Sequence, residues 1–465
     1  METKCSRSPL PLFFSLFFLF PLFKPALGDQ IESRPDSEKI RFSADGYLRL
    51  RSKLYQNLDL TRELKEEDTT AFLDARGMLL SNIGTDKIQI RSRLDFVDNS
   101  IWGFNSPSSR EHPLVETVSF HDIDGKEVSP IKLKWLYLWA MSPVGLFEVG
   151  IVPSHWGFGI FQNSSTTIFD DYGDSFARAM FVTMPVEKFY VGAIYDKVTE
   201  GPISKTKGSF VTDAEIDEAG VVALYNHEKF VSGIYSVVRW QSWTDSLAAA
   251  FDLYGETKNT NNFYAGFEGV FITGKFIPKE DQNIDVLAYG GALRVGYKGR
   301  EIFPNLEIGY TSPESDDEYD PEQNSEGKKI SSFSFDPDYS PALLMFNTTG
   351  GGKIDFKGKL YTPVVESRTV KNAFYSRFEF LWSIPGIAIK IIPSAIIAFN
   401  SKNTKFLGIE PDFELRREKD KGIFLSFKTG YLFVGDELKK IERKGEQGTT
   451  KSNLFGVVAT LGYVF

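Results

Sequence analysis

The sequence predicts an all-β fold, a transmembrane, antiparallel, up-and-down β-barrel of about 18 strands, with about 16 as the alternative count. Three observations predict it. Segments with alternating apolar and polar residues recur from one end of the chain to the other. The connections between these segments are alternately short and long. An apolar stretch near the N-terminus has the form of an export signal.

Residues 1–28 are predicted to be a cleaved signal peptide. Lys4 and Arg7 form a positive N-terminal region, and residues 10–23 (LPLFFSLFFLFPLF) form the apolar region that follows it. Small residues precede the expected cut before Asp29. The apolar run is too short to cross a bilayer as a helix, so the signal predicts export without a helical anchor.

Two parts follow the signal peptide. Residues 29–45 are predicted to be a short periplasmic segment, and residues 46–465 to form the barrel. The only cysteine, Cys5, would leave with the signal peptide, so disulfides are not expected to stabilise the exported chain. The formal net charge is −9, which argues against a nucleic-acid partner. No phosphate-binding loop, dinucleotide-binding fingerprint or His/Cys metal spacing occurs, so no cofactor is expected.

The first predicted strands each carry an apolar face and a polar face. GYLRLRSKLYQNLDL (residues 46–60) places leucines on one face and basic residues on the other, because side chains in a strand alternate between faces. KIQIRSRLDF (residues 87–96) and IKLKWLYLWAM (residues 131–141) follow the same pattern. In the last of these segments the alternation predicts that Lys132 and Lys134 lie on one face of the strand. Trp135, Tyr137 and Trp139 are then predicted on the other face.

Similar segments continue through the rest of the chain. They include KFYVGAIYDKV, FVSGIYSVVRW, AAAFDLYGET, NFYAGFEGVFITG, VLAYGGALRVGY, NAFYSRFEFLW, IAIKIIPSAIIAF and GIFLSFKTGYLF. The chain ends on NLFGVVATLGYVF (residues 453–465), whose apolar face finishes with Tyr463 and Phe465. Aromatic residues form girdles at both interfaces of a membrane barrel. We therefore expect these two residues in the inner girdle, and Trp156, Phe158 and Tyr172 in the outer one.

The connections between predicted strands alternate in length. Those after even-numbered strands are tight, such as GTD at 84–86 and DKG at 420–422. Those after odd-numbered strands are mostly long and polar, such as 98–129, 275–283 and 312–371. Outer-membrane barrels have short periplasmic turns and longer external loops. The alternation therefore predicts that an even number of strands returns both termini to the periplasm.

Basic residues share the polar faces of three early strands. They are Arg49, Arg51, Lys53, Arg91, Arg93, Lys132 and Lys134. If this face lines the lumen, the seven side chains form a basic ladder along one wall, which would favour the passage of anions. The alternative interpretation is that these cations pair with acidic side chains across the lumen, such as Asp95, Glu268 and Glu410.

The longest connection is expected at residues 312–371, either outside the barrel or folded into its lumen. It opens with the acidic stretch SPESDDEYDPEQ and turns apolar at SSFSFDPDYSPALLMF. An exposed apolar stretch of this length needs something to pack against. One interpretation is a constriction or plug within the lumen, and the alternative is packing against external loops or a partner. The candidate constriction residues are Phe333, Phe335, Asp336, Asp338 and Tyr339.

The stretch SHWGFGIFQN, followed by DDYGD, suggests two further sites. Asp170, Asp171 and Asp174 could together bind calcium, because this ion prefers clustered oxygen ligands. Ser154 and His155 suggest a hydrolase, but adjacent residues in a strand point to opposite faces, which is unsuitable for proton transfer between them. We therefore expect that the protein is not an enzyme.

At GYLRLRSKLYQNLDL, RSRLDFVDN, VPSHWGFGIF and DDYGDSFARAMFVT the chain resembles an uncharacterised family of predicted outer-membrane β-barrel proteins of Gram-negative bacteria. That family is distantly similar to porins and alginate-export barrels. The likeness is firmest over residues 46–183, and it implies a barrel in the outer membrane without assigning an activity. The usual C-terminal signal for the barrel-assembly machinery is partly matched, because Tyr463 and Phe465 are present but Thr460 occupies the position of a glycine.

The expected function is a porin-like channel in the outer membrane of a Gram-negative bacterium, for passive diffusion or export of small polar, including anionic, solutes. The alternative is a surface-exposed interaction or adhesion barrel with a plugged lumen, and the least favoured hypothesis is an outer-membrane hydrolase. Expected partners are outer-membrane lipid, the barrel-assembly machinery and the solute. A homotrimer is one oligomeric state open to a barrel of this size.

Overall fold

The computed structural model describes residues 39–56, 69–106, 131–171, 173–198, 216–241, 245–258, 262–279, 282–299, 301–319, 327–346, 369–384, 386–419, 421–438 and 453–465. Within these ranges 19 strands join one sheet. None of the described residues forms a helix that is long and apolar enough to cross a membrane. The predicted signal peptide, residues 1–28, lies outside the described residues.

The strands of the sheet are numbered β1 to β19 in chain order. Their bounds are β1 Arg41–Gln56, β2 Thr69–Gly84, β3 Ile88–Ser106, β4 Ile131–Ser142, β5 Gly145–Pro153, β6 Ser175–Val186, β7 Phe189–Lys197, β8 Ile216–Asn226, β9 Phe230–Gln241, β10 Ser246–Thr257, β11 Phe263–Lys279, β12 Gln282–Tyr297, β13 Ile302–Thr311, β14 Lys329–Ile330, β15 Ala373–Ile384, β16 Ile389–Asn400, β17 Phe406–Arg417, β18 Gly422–Val434 and β19 Leu454–Val464. Apart from β14, the shortest have 9 residues, which is enough to cross a hydrocarbon core at the usual strand tilt.

The sheet closes on itself. Each strand pairs antiparallel with its chain neighbour, and β19 pairs with β1, where Leu48 lies opposite Tyr463 and Leu54 opposite Val457. The exception is β14, which has two residues, pairs parallel with β12 and leaves β13 to pair directly with β15. The fold is therefore a closed, antiparallel barrel of 18 strands, and the predicted count of about 18 is confirmed.

The outer surface of the barrel is apolar. Along β1 the side chains of Leu48, Leu50 and Leu54 are exposed, while the basic residues between them are buried on the inner face. Leu136 and Leu138 of β4 are likewise exposed. A surface of this kind is typical of barrels that span a membrane, because lipid rather than water covers the outward side chains. Closing the sheet also leaves no unpaired strand edge in the apolar phase.

One of the predicted face assignments is wrong. The aromatic residues Trp135, Tyr137 and Trp139 of β4 were expected opposite the two lysines, but they are buried on the inner face. The register between β3 and β4 shifts at Lys134, because Arg93 lies opposite Trp135 and the next residue of β3 lies opposite Leu133. A bulge of this kind inserts one residue into the strand, so the side chains that follow it point to the opposite faces from those expected.

The two ends of the barrel differ. At the turn end, every connection has two to five residues, and these connections are 85–87, 143–144, 187–188, 227–229, 258–262, 298–301, 385–388 and 418–421. At the loop end, six long connections such as 312–372 occur together with three short ones, namely 242–245, 280–281 and 401–405. The long connection expected at 275–283 is reduced to two residues, since β11 and β12 continue pairing up to Lys279 and Gln282.

The first strand begins earlier than the sequence predicts. β1 starts at Arg41, since residues 41–45 pair with residues 80–84 of β2, and the periplasmic location of residues 29–45 stays a prediction. At the other end of the chain, Gly46 and Phe465 exchange backbone hydrogen bonds of 3.2 and 3.0 Å. The seam between the first and last strands is thereby paired as far as the final residue.

Candidate functional site

Two connections at the loop end fold into the lumen. The first inward segment is the described part of residues 154–174, between β5 and β6, and the second inward segment is residues 331–346, between β14 and β15. The first leaves the wall after Pro153, and its Gly157 has a φ of +53°, a left-handed conformation that favours glycine. A side chain at this position would also collide with Glu268 of β11. The wall and the segment are therefore in direct contact there.

Trp156 and Phe158 of the first inward segment lie inside the barrel, so their predicted place in the outer girdle is wrong, while Tyr172 lies outside the described residues. Trp156 is buried with its ring centroid 5.8 Å from that of Tyr235, and Phe158 packs edge-on against Tyr254 at 5.6 Å. Both tyrosines project inward from the barrel wall. The segment is thus held against one wall by ring contacts.

The apolar part of the second inward segment is also buried inside the barrel. Phe333, Phe335 and Tyr339 belong to a large cluster that includes Tyr375 of β15 and Ile160 of the first inward segment. The ring centroids of Phe335 and Tyr339 are 5.2 Å apart in a T-shaped arrangement. Of the two interpretations that the sequence left open, these residues follow the one in which the stretch packs in the lumen.

Three members of the predicted basic ladder lie on the inner face of β1 and form ion pairs. The guanidinium of Arg51 binds Asp74 of β2 at 2.9 Å and Asp171 of the first inward segment at 2.8 Å. Arg49 binds the same two carboxylates, at 3.5 and 2.5 Å. The ammonium of Lys53 lies 3.7 Å from Asp74. These cations are neutralised by acids, and two of them bind a segment that enters the lumen.

A fourth ladder residue, Arg93 of β3, is completely buried. It binds Asp95 at 2.7 Å, and Arg76 of β2 binds the same carboxylate at 2.7 Å. Both guanidinium groups also donate to backbone carbonyls of the first inward segment, Arg93 to Ser164 at 2.9 Å and Arg76 to Asp170 at 2.7 Å. The wall therefore supplies donors to a backbone stretch that has no strand partner.

The remaining ladder residues are less deeply buried. Arg91 of β3 is half-buried, with its guanidinium 4.6 Å from the ring centroid of Trp139. Lys132 and Lys134 are half-buried at the start of β4, before and at the bulge. The ladder thus divides into a deeply buried part, from which Arg49, Arg51 and Arg93 bind the first inward segment, and a half-buried part.

Acidic side chains of the wall bind both inward segments through backbone N–H groups. Glu410 of β17 accepts hydrogen bonds from the backbone N–H groups of Leu343, Leu344 and Met345 at 2.8, 2.8 and 2.7 Å. Glu268 of β11 accepts from two backbone N–H groups of the first inward segment, those of residues 158 and 160. Two acids that the sequence offered as partners for the ladder are therefore anchors for the constriction.

The two inward segments bind each other. Asp338 accepts hydrogen bonds from the backbone N–H groups of Asp171 and Gly173 at 2.8 and 3.1 Å, and from the hydroxyl of Ser165. The N–H of Asp336 donates to the carbonyl of Ile160 at 2.8 Å. The segments form a connected layer across the lumen.

Arg294 of β12 connects both inward segments to the barrel wall. Its guanidinium lies 4.2 Å from the ring centroid of Phe158 and donates a hydrogen bond of 3.0 Å to the hydroxyl of Tyr339. It also forms an ion pair of 2.7 Å with Glu307 of β13. One side chain therefore contacts both inward segments and the wall.

The predicted calcium ligands do not converge. The carboxylate of Asp171 binds Arg49 and Arg51, while that of Asp170 accepts from the N–H of Thr167 at 2.6 Å. The carboxylate of Asp174 accepts from a different backbone N–H, that of residue 163. Among the described residues, no group of three or more His, Cys, Asp or Glu side chains is arranged to hold a metal ion.

Ser154 and His155 have separate partners. The hydroxyl of Ser154 lies 2.5 Å from Gln162 and accepts from Arg178, whereas the His155 ring lies 3.3 Å from Asn163. Burial lowers the pKa of His155. The geometry provides no hydrogen bond between the serine and the histidine, which a hydrolase of this type requires.

Charged side chains on several inner faces remain partly exposed. The side chain of Arg294 is 27% exposed and that of Arg239 on β9 is 42% exposed. Arg377 and Glu379 of β15 form an ion pair whose two side chains are each 20% exposed. Since charged groups are costly to bury, this distribution indicates that water reaches parts of the lumen around the inward segments.

No protein-family model matches the chain, and no curated protein matches it significantly in sequence. Among solved structures, it is similar to OccK11 (OpdR) of Pseudomonas aeruginosa at 8% identity, with a TM-score of 0.47, covering 91% of this chain and 96% of that chain. It is similar to OccAB3 of Acinetobacter baumannii at 10% identity, with a TM-score of 0.48, covering 91% and 100%. It is also similar to OpdK of Pseudomonas aeruginosa, solved with vanillate, at 10% identity and a TM-score of 0.47, covering 91% and 98%. The architecture of this chain rests on its own strand pairings.

Sequence reasoning missed several residues of the site. Asp74 and Arg76 of β2 belong to the ion-pair network, and their separation by one residue is the signal of a shared face. That signal is weak because the register between β2 and β3 shifts twice near these positions. Arg294 is the single charge in the apolar and glycine-rich segment VLAYGGALRVGY, which marks it as an inward-facing candidate.

Proposed function

We propose that the protein is a porin-like channel that passes small polar solutes through a narrow constriction. The observation that carries this proposal is a closed barrel with charged, partly exposed side chains on its inner face, around two inward segments anchored to the wall. Arg239 and Arg294 supply the clearest examples of such exposure. A barrel of this strand number is wide enough for an aqueous channel, and inward segments narrow it.

The proposed location is the outer membrane of a Gram-negative bacterium. Export would be directed by a signal peptide at residues 1–28, which is then cleaved. The apolar outward surface and the short turns at one end support this location, since both are usual in outer-membrane barrels. Recognition of Tyr463 and Phe465 by the barrel-assembly machinery and a homotrimeric state stay predictions. Fractionation of cells and cross-linking of the purified protein would test these proposals.

We also propose a modest preference for anions. Its source would be the half-buried Arg91, Lys132 and Lys134 rather than the whole basic ladder, because Arg49 and Arg93 are buried and bound to carboxylates. A charge between low-dielectric walls acts on every passing ion, whereas charges exposed outside the barrel are screened within about 8 Å at physiological salt.

Single-channel recording in planar bilayers tests the channel. The purified protein, verified as folded by heat-modifiable migration on a gel, is expected to give discrete conductance steps with a reversal potential on the anion side. The same preparation after heat denaturation is the control. The absence of steps from several folded preparations would contradict the proposal.

One observation favours a second function, that of an interaction barrel with a plugged lumen. The two inward segments bind each other through Asp338 and Ile160. They also share a buried apolar cluster with inward-facing residues of several strands. In that case the folded protein would give no conductance steps, and capture of a partner would depend on residues at the loop end of the barrel.

A further inference from the structure

The inward segments meet through a pair of carboxyl groups. A side-chain hydrogen bond joins Asp174 of the first segment to Asp336 of the second. Two ionised carboxylates have only acceptor oxygens, so a hydrogen bond between them requires a shared proton. The backbone around the pair is fixed on both sides, since the N–H of Asn163 donates to Asp174 at 3.1 Å and the N–H of Asp336 donates to the carbonyl of Ile160 at 2.8 Å.

The charges around this pair are mostly negative. The charge of Asp338 acts on both carboxyl groups and on nearby Asp170, and Lys134 of β4 is the cation whose charge reaches Asp174. The other nearby cations are engaged elsewhere. Arg49 and Arg51 bind Asp171, Arg76 and Arg93 bind Asp95 and backbone carbonyls, Arg294 binds Glu307, and the His155 ring lies beside Asn163. Full ionisation of the pair would therefore place additional like charges together with little compensation.

The pair retains a proton at neutral pH. Burial and the neighbouring charge of Asp174 raise the pKa of Asp336 to about 10, and burial raises the pKa of Asp174 to about 6. Two acids that share a site lose their protons in two separate steps, the second of which is strongly delayed. Because both shifts are upward, the contact is stabilised while the proton is bound and is weakened as pH rises through the upper step.

We propose that Asp174 and Asp336 form a protonated latch that holds the two inward segments together across the lumen, and that loss of the shared proton separates them and widens the constriction. This inference rests on the proposed channel function for its effect on solute flow, but the movement of the segments is independent of it. The latch makes the channel narrow at acidic and neutral pH and wider at alkaline pH.

Single-channel conductance measured at about pH 6 and at about pH 10.5 tests the latch, because the two values lie on either side of the second proton loss. The wild type is expected to increase its conductance about twofold at the higher pH, once the contact between the segments is lost. Circular dichroism and heat-modifiable migration at both pH values verify that the barrel stays folded.

Substitutions at the pair distinguish the effect of its proton on conductance from the effects of other groups that titrate over the same pH range. In Asp336→Asn, the amide donates to the carboxylate of Asp174 at any pH, so conductance is expected to stay at its low-pH value throughout. Asp174→Asn is expected to behave in the same way. Asp316→Asn changes an exposed acid of the same long connection that binds Lys402, and it should keep the wild-type pH profile.

A distance measurement provides a readout that does not need a conducting channel. Spin labels at Thr167→Cys and Ser334→Cys, both exposed positions, report the separation of the segments in the folded barrel. The separation is expected to increase at alkaline pH in the wild-type background and to stay constant with Asp336→Asn. A pH-independent separation, or an equal increase in the variant, would overturn the latch. A separation that responds to pH without any conductance would instead contradict the channel and leave the latch standing.

Discussion

At the scale of single residues, two arginines of β3 show that position along one strand decides what a charge does. Arg91 is half-buried beside the ring of Trp139, whereas Arg93 is fully buried, bound to Asp95 and to carbonyls of the first inward segment. The first remains partly exposed on the inner face and the second is a structural anchor. The basic ladder is therefore a mixture of two kinds of site.

This difference predicts opposite results for two identical substitutions. Arg91→Gln should reduce the ratio of anion to cation permeability roughly twofold, because it removes an accessible charge from the lumen. Arg93→Gln should leave that ratio nearly unchanged but should lower stability by about 3 kcal/mol, since it breaks a buried ion pair. Reversal potentials in a salt gradient and the temperature of the heat-induced gel shift measure the two effects. A larger change in selectivity for Arg93→Gln would contradict this division.

The sequence predicts the faces of single residues better than it predicts their contacts. Strict alternation in β1 is enough to place Arg49, Arg51 and Lys53 on one face, and the structure has all three inside the barrel. It cannot show that Asp171, more than a hundred residues away, comes back to bind two of them. Contacts made by a connection that folds inward depend on its path, which has no periodic signal in the sequence.

At the scale of elements, one wall carboxylate holds three consecutive residues of the second inward segment. Glu410 of β17 accepts three consecutive N–H groups, from Leu343 to Met345, and a fourth contact to Asp412 of the same strand measures 3.3 Å. A buried N–H group without an acceptor costs about 1–3 kcal/mol. The position of residues 343–345 is therefore sensitive to one carboxylate.

Replacing this anchor should loosen the constriction without opening the barrel. Glu410→Ala is expected to destabilise the docked segment by about 3 kcal/mol or more, since several N–H groups lose their acceptor. The expected result is a larger and noisier single-channel conductance, while migration of the folded protein on a gel is retained. Glu379→Ala is the matched control, because that side chain pairs with Arg377 of its own strand. Equal conductance changes in both variants would show that the effect is not specific to the anchor.

The hairpin of β4 and β5 tests which surface meets lipid. Leu138 is exposed in the middle of β4, and Val144 is exposed in the turn that follows. An arginine facing lipid at mid-depth costs about 2–4 kcal/mol, and near the interface only about 0–1 kcal/mol. Leu138→Arg should therefore destabilise the barrel far more than Val144→Arg. Unfolding in denaturant of protein in lipid vesicles measures the difference, and similar costs for both would contradict the membrane placement.

At this scale, the presence of a strand is easier to predict from the sequence than the face to which each of its side chains points. The period-2 pattern identifies β4 correctly, yet the facing of Trp135 and Trp139 depends on the bulge at Lys134. β11 and β12 likewise extend to a two-residue connection at 280–281 where a longer loop was expected. Bulges and strand ends are set by pairing with neighbours, so a single strand read in isolation does not contain them.

At the scale of the whole molecule, closure between β1 and β19 defines the barrel. Ser52 and Ala459 lie directly opposite each other across this seam. In a Cys5→Ser background, the pair Ser52→Cys with Ala459→Cys should form a disulfide, because directly paired residues lie within the Cα separation of about 4.4–6.8 Å that a disulfide accepts. The pair Ser52→Cys with Leu461→Cys, displaced by two residues, is the control. Non-reducing electrophoresis after oxidation compares them, and equally efficient linkage would contradict the register.

The anchoring of the inward segments also sets an order of events in time. Neighbouring strands close over short connections, but the contacts that hold the segments join Arg49 to Ile168, 119 residues apart, and Gly173 to Asp338, 165 residues apart. Contacts between distant parts of a chain form late, because the chain entropy lost in making them is recovered only when the surrounding structure exists. Closure of the β1–β19 seam joins residues still farther apart, but docking needs donors and acceptors from β2, β12 and β17 together. The barrel should therefore close first around an empty lumen, and the segments should dock afterwards. A newly inserted molecule would conduct more than a mature one, and its conductance would decay as the docking step reaches completion.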